Sequence, residues 1–116
     1  IGEVSKLFIE AGTIVLAAFI SPYRKEREKV RGLMPHGDFL EIYVDCPIEV
    51  SESRDVKGLY KRARAGEVNE FTGISSPYES PRKPELTVNT DQQALEESVE
   101  SVIQLLIERD IIKLVL

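Results

Sequence analysis

Apolar residues recur at helical spacing through the first eleven positions. Ile1, Val4, Leu7, Phe8 and Ala11 fall on one side of a helix, and Gly12 is placed to end it in the left-handed conformation. "TIVLAAF", Thr13–Phe19, is short, uniformly apolar and rich in β-branched residues, the pattern of a strand covered on both faces. Ser21 and Pro22 stop it, and Tyr23–Met34 then reads as a mostly exposed helix with Val30, Leu33 and Met34 inward. A second strand is expected over Phe39–Asp45. Pro47 suits the first turn of a short helix over Ile48–Ser53, and another helix runs from about Leu59 to a stop at Gly66. "ELTVN" gives a third, short strand. Thr90 with Gln93 then forms a capping-box pattern before a helix over Ala94–Arg109, whose buried stripe is Leu95, Val99, Val102, Ile103, Leu106 and Ile107.

Between these elements, Glu67–Glu85 carries Gly73 and the prolines Pro77, Pro81 and Pro84. It is too long for a plain connector in a compact domain, and such loops serve as lids or binding loops. The alternation of helices and strands predicts an α/β layered fold with a parallel sheet. The chain shows no internal repeat and no low-complexity tract. An amphipathic helix at residue 1 with no capping residue before it, together with only three strands, suggests that other chain precedes it.

The 116 residues match one domain, and 42% hydrophobic against 30% charged residues is the balance of a globular chain. The longest nearly uncharged run, Ala11–Tyr23, is too short to span a bilayer and lacks the layout of a signal peptide. A membrane partner is therefore not expected, and a cytoplasmic location is. One cysteine, Cys46, excludes an intrachain disulfide, and one histidine, His36, leaves no zinc-like cluster. Both read as structural: Cys46 lies between a strand and a helix, and His36 lies in the turn "MPHGD".

Charge adds a sharper observation. The net charge is −5, which disfavours wholesale nucleic-acid binding. Ten of the fifteen bases nevertheless fall in two windows, Ser21–Arg31 and Arg54–Arg64. In open α/β sheets ligands sit beyond the carboxyl ends of the strands, where Ser21 lies, and Arg24 and Arg27 are one helical turn apart there. An anion site and a solvated charged helix are equally good readings of that first window. In the second, Arg54, Lys57 and Lys61 precede a loop carrying Phe71, as in a lid that closes over a phosphate ester. Phe71 could stack on a base, worth roughly 1–3 kcal/mol, or anchor the loop to the core.

Taken together, "FISPYRKERE", "YVDCP", "RDVKGLYKRARAGE" and "EFTGISSPYE" followed by "PEL" resemble the adenylylsulfate kinase (APS kinase) family in order and spacing over nearly the whole chain. The resemblance implies a P-loop NTPase-like α/β/α fold with three of five parallel strands present. It makes residues 1–116 the C-terminal part of a single kinase domain, with a lid at about 54–85. It implies transfer of the γ-phosphoryl group of MgATP to the 3′-hydroxyl of adenosine 5′-phosphosulfate (APS), giving PAPS, in sulfate assimilation. It places Ile20, Ser21, Lys57 and Phe71 against APS, and Arg54, Thr90 and Gln93 beside the adenine of ATP. Ser21 matches the position labelled a phosphoserine intermediate in the family. Direct in-line transfer needs only positioning and charge stabilisation, so a positional role is expected for Ser21.

One departure is large. No G-x-x-x-x-G-K-[ST] occurs anywhere, so the groups that cradle the β- and γ-phosphates and hold Mg²⁺ are not in this sequence. A fragment of a longer, homodimeric enzyme is the leading expectation. The alternative is a non-catalytic nucleotide-binding or assembly module derived from the kinase, attached to or associated with ATP sulfurylase; an RNA-binding module ranks third. In the family's strand order 2-3-1-4-5 the P-loop strand lies between Thr13–Phe19 and Phe39–Asp45. These two segments are therefore expected to face each other across a slot.

Overall fold

In the computed structural model, which describes residues 1–115, the elements are α1 (Gly2–Glu10), α2 (Arg24–Arg31), β1 (Ile42–Asp45), α3 (Ile48–Ser53), α4 (Leu59–Arg64), β2 (Leu86–Asn89) and α5 (Leu95–Glu108). The two strands pair in parallel, Ile42 opposite Leu86 through Asp45 opposite Asn89, and α5 packs back on β2. This is a small α/β fold with a parallel sheet, as the alternation of elements predicts.

Local signals work well where no partner is needed. α1 ends in a Schellman motif: the Gly12 N–H bonds the Ile9 carbonyl at 2.9 Å and the Thr13 N–H that of Phe8 at 3.0 Å. Gly12 has φ +84°, a conformation that glycine adopts without a Cβ penalty. Gly66 closes α4 in the same way, with Glu67 bonded back to Arg62 at 3.0 Å. The cap of α5 differs from expectation. Ala94 is its N-cap, and the Glu97 carboxylate accepts the Ala94 N–H at 2.8 Å, while Gln93 turns away to accept the Asn89 N–H at 2.8 Å. A glutamate one turn into the helix reaches the orphan N–H, which leaves the Gln93 amide for the end of β2.

The strands are shorter than their sequence patterns. Phe39–Leu40 lies outside β1, and Thr13–Phe19 enters no ladder among the described residues. Between that segment and the sheet runs a groove of about 540 Å³, with Thr13, Leu16 and Ala18 on one side and Leu40, Ile42 and Leu106 among the others. The slot expected between the two segments is therefore present. Its character differs from a line of buried, unsatisfied backbone groups, however. Leu16 is 85% exposed and all of residues 13–20 except Val15 are exposed, so the segment is not buried. The cost is exposed apolar surface.

The same shortage runs through the molecule. Only Ala63, Val88 and Leu105 are buried apolar residues among those described. Ile1, Val4, Leu7 and Phe8 of the α1 stripe are exposed, as are Leu95, Val99 and Ile103 of the stripe expected on α5. A two-stranded sheet is too narrow to cover them, and only the Val102–Leu105–Leu106 side meets it. Accessible surface totals 8936 Å², whereas a compact monomer of 13.1 kDa presents roughly 6,400 Å². The radius of gyration, 16.3 Å, exceeds the roughly 13 Å of a compact chain of about 100 residues.

Polar links do much of the joining instead. The Glu85 carboxylate accepts both terminal nitrogens of Arg31, at 2.5 and 2.9 Å, and the Glu41 N–H at 2.5 Å. Helix α2 is thereby fixed to the entrance of both strands. Burial pushes the Glu85 carboxyl upward, but the Arg31 fork and the backbone donor outweigh it and hold the group below its ordinary 4.5.

Two outcomes are expected. Residues 1–116 by themselves should bind an apolar dye such as ANS strongly and show no sharp thermal transition, because the buried core is too small to offset chain entropy. Dispersed amide resonances with a sharp melt would contradict this. In the protein expressed from its complete reading frame, the Glu85 contribution should be fully present above about pH 4.5 and be lost as pH falls through its lowered value. Glu85→Gln should lower stability at neutral pH and flatten the acid limb of a plot of melting temperature against pH. A parallel displacement of the whole curve would show that the Glu85 charge is not what holds these elements.

Candidate functional site

The turn after Phe19 carries unusual backbone. Ser21 has φ +39°, a left-handed conformation costly for a residue with a Cβ, and such strain persists only where surroundings enforce it. Two bonds enforce it here. The Ser21 carbonyl accepts Arg27 Nη1 at 2.6 Å, and the Pro22 carbonyl accepts the Glu79 N–H at 2.8 Å. The turn is thus tied to α2 beneath it and to the far end of the long loop.

That loop is folded rather than loose. The Phe71 carbonyl accepts the N–H groups of Ile74, Ser75 and Ser76, and the Phe71 N–H bonds Ser75 Oγ at 2.8 Å. Gly73 packs so tightly that a Cβ there would lie 3.0 Å from Ile48 Cδ1 of α3, and its φ of +86° also favours glycine. The Phe71 ring meets Tyr60 of α4 edge-on, centroids 5.0 Å apart.

Turn and loop converge over β1. They enclose a cavity of about 360 Å³, lined by Phe19 and Ile20 from the turn, Tyr43, Asp45 and Cys46 along and after β1, and Thr72, Gly73 and Tyr78 from the loop. Tyr43 and Asp45 alternate onto one face of the strand, and the Tyr43 hydroxyl donates to Asp45 Oδ1 at 2.9 Å. The Tyr78 ring stacks on Tyr43 at 6.1 Å. Burial pushes the Tyr78 phenol above 10.0, against the pull of the nearby Arg27 guanidinium, so it remains a hydroxyl donor at neutral pH. With Tyr60 of α4 also in the lining, the cavity offers apolar walls, three phenols and one carboxylate.

The residues singled out from sequence are placed unequally. Ile20 lines the cavity, whereas Ser21 stands just behind it and is half-buried. Lys57 is exposed in the turn before α4 and, among the described residues, makes no ion pair. Phe71 reaches the cavity only through its partner Tyr60 and its neighbour Thr72. Arg54 and Thr90 come together at the carboxyl ends of the strands, Arg54 Nη2 bonding the Thr90 carbonyl at 2.8 Å. Thr90 in turn bonds the Asp45 carbonyl through its N–H at 3.0 Å, and Gln93 holds the Asn89 N–H one residue away.

The first basic window is corrected. Arg24, Arg27 and Arg31 do not form an open anion site, because each is engaged within the chain. Arg24 Nε donates to the Ser80 carbonyl at 2.8 Å, Arg27 binds the carbonyls of Ser21 and Glu79, and Arg31 is held by Glu85. In the second window Arg62 pairs with Glu67 and Arg64 with Glu52, leaving Arg54, Lys57 and Lys61 without an ion pair among the described residues, Arg54 being bound instead to the Thr90 carbonyl. Tyr43, Tyr78 and Glu79 were not anticipated, since their roles depend on contacts more than thirty positions apart in sequence. No group of three His, Cys, Asp or Glu side chains able to hold a metal occurs among the described residues.

With this geometry established, likeness to known proteins is specific. The sequence profile of the family described as adenylylsulphate kinase matches residues 1–89. The adenylyl-sulfate kinase of Staphylococcus haemolyticus is 55% identical over 112 residues, covering 97% of this chain and 56% of that protein. That of Acaryochloris marina is 59% identical over 113 residues, covering 97% and 55%. Among solved structures, the Mycobacterium tuberculosis APS kinase in complex with AMPPNP and APS superimposes with a TM-score of 0.84 at 39% identity, over 91% of this chain and 62% of that one. The chain thus spans a little over half the length of the curated relatives it matches. A family profile over most of the chain, identities above half and a shared fold all agree: the chain belongs to the adenylylsulphate kinase family.

Proposed function

We propose that this chain forms the acceptor-binding and adenine-facing part of an ATP-dependent kinase that phosphorylates APS at its 3′-hydroxyl to give PAPS. The observation that carries this reading is the cavity formed where the Ile20–Pro22 turn and the Phe71–Tyr78 loop meet over β1. Support comes from its family membership and from a solved relative that holds both APS and the ATP analogue AMPPNP. In the reaction the 3′-oxygen of APS forms a bond to the γ-phosphorus as the bond to the β-phosphate oxygen breaks, and the hydroxyl proton is released.

The family resemblance supports these roles for individual residues. Ile20 forms a wall of the acceptor cavity, and Ser21 shapes the turn through its backbone. Lys57, exposed beside the loop, supplies a mobile cation for the phosphosulfate through charge-assisted hydrogen bonds. Phe71, braced by Tyr60, is set to stack on the APS adenine. Arg54, Thr90 and Gln93 border the adenine of ATP at the carboxyl ends of the strands. The phosphate cradle and the Mg²⁺ that in-line transfer requires are not formed by these residues, so no step is assigned to them here. A homodimer in the cytoplasm, acting in sulfate assimilation, fits this reading. The non-catalytic reading, in association with ATP sulfurylase, rests on the absence of a G-x-x-x-x-G-K-[ST] motif from these 116 residues.

The test is an assay of the protein expressed from its complete reading frame for ATP-dependent formation of PAPS from APS. Nucleotide binding without turnover would favour the non-catalytic module. In the active protein, Lys57→Ala should raise the KM for APS about tenfold or more while changing that for ATP little; equal losses for both substrates would remove Lys57 from the APS site. Ser21→Ala should keep most of its turnover, because the bonds that hold the turn use backbone carbonyls. A phosphoenzyme that forms with ATP alone and discharges to APS at a competent rate would overturn that assignment.

A further inference from the structure

Arg27 is nine-tenths buried, its side chain 10% exposed, on a helix that is otherwise the most charged and solvated in the chain. A buried guanidinium is retained where its charge and donors find partners, and here two nitrogens donate to separate segments while the third faces a carboxylate. Nη1 donates to the Ser21 carbonyl at 2.6 Å, and Nη2 donates to the Glu79 carbonyl at 2.5 Å. Nε lies 3.3 Å from the Glu41 carboxylate at the entrance to β1, close enough for an ion pair but not aligned for a hydrogen bond. The guanidinium also stands 5.7 Å from the centroid of the Tyr78 ring. Two of these partners lie immediately behind opposite walls of the cavity: Ser21 follows Ile20, and Glu79 follows Tyr78.

We propose that Arg27 is a positioning residue that joins the two walls of the acceptor cavity, so that the strained turn at Ser21 and the returning end of the long loop take up their binding geometry as one unit. The inference rests on the reading of this cavity as the APS site. The planar fork explains why arginine is needed. Two parallel donors must reach two carbonyls from different segments while the third nitrogen faces a carboxylate, and a lysine ammonium at this place can satisfy one of the two at most. The strain at Ser21, φ +39°, is what the first bond holds in place. The Glu79 N–H bond to the Pro22 carbonyl at 2.8 Å links the same two segments directly, so each bond supports the other. Arg24, one turn earlier, reaches the neighbouring Ser80 carbonyl but makes no contact with the turn at Ser21, which sets Arg27 apart from the other basic residues of α2.

The experiment uses the protein expressed from its complete reading frame, with Arg27→Lys and Arg27→Ala compared by initial-rate kinetics and by amide hydrogen exchange. Both variants should raise the KM for APS about tenfold while the KM for ATP moves less than about twofold, and lysine should not rescue. Exchange should rise together at residues 20–23 and 78–80 and stay unchanged in α5. Restoration by Arg27→Lys would show that charge alone matters and would overturn the proposal, as would equal shifts in both KM values. Should Arg27→Ala fail to fold, Arg27→Lys decides; failure of both would make Arg27 a structural residue only and overturn the proposal. If the unsubstituted protein does not phosphorylate APS, the functional reading falls. Hydrogen exchange then judges Arg27 separately: a joint rise at both segments sustains the linkage, and no rise ends it.

Discussion

A single carboxylate sets the register of the sheet. Glu85 receives the two-pronged donation of Arg31 and the N–H of Glu41, while its own N–H bonds the Glu41 carbonyl at 2.9 Å. Because Glu41 and Glu85 immediately precede the first paired residues, Ile42 and Leu86, this junction decides which residues face each other along β1 and β2. A one-residue slip would turn Tyr43 and Asp45 away from the cavity. The junction also fixes α2, and through α2 the Arg27 side chain that reaches the turn and the loop. The site therefore descends from the strand entrances by a short chain of polar contacts, and apolar packing contributes little to it.

That dependence is costly. Ion pairs recover their desolvation only when well satisfied, and they hold elements together less cooperatively than a core does. Three buried apolar residues among those described cannot supply what the pairs lack, and the stripes of α1, α5 and residues 13–20 are left exposed. Around the cavity the chain is more closely held: the strained backbone at Ser21 and the close approach of Gly73 to Ile48 each have specific neighbours. Turn and loop are tied to each other by backbone hydrogen bonds, and Lys57, in the turn before α4, is exposed.

Much of this was legible from residue patterns. Gly12 and Gly66 end their helices as their positions predict, since a C-terminal stop needs only local backbone bonds. The parallel sheet followed from the alternation of elements, and the quoted motifs were sufficient to indicate the family later supported by its relatives. The slot beside Thr13–Phe19 was expected from the strand order that the family resemblance implies, whereas the residue pattern alone read that run as a covered strand. What failed were inferences that counted charges or apolar residues without their partners. Arg24 and Arg27 read equally well as an anion site or as part of a solvated charged helix, yet their donors are consumed by Ser80, Ser21 and Glu79. Leu95, Val99 and Ile103 read as core, yet no sheet extends over them.

The sequence by itself determined the helix stops, the order of the helices and of the two strands that form, and the motifs that carry the family resemblance, because these depend on residues within a few positions of one another. It also read Thr13–Phe19 as a strand, which enters no ladder among the described residues. Only the tertiary structure decided that Tyr43 and Tyr78 share a cavity and that one arginine joins its two walls. It also decided that Glu85 sets the strand register. The contacts Tyr43–Tyr78, Glu41–Glu85 and Arg27–Glu79 join residues 35, 44 and 52 positions apart. No local preference encodes such a contact, because it exists only once the chain has closed the intervening loop and the two polar groups have exchanged water for each other.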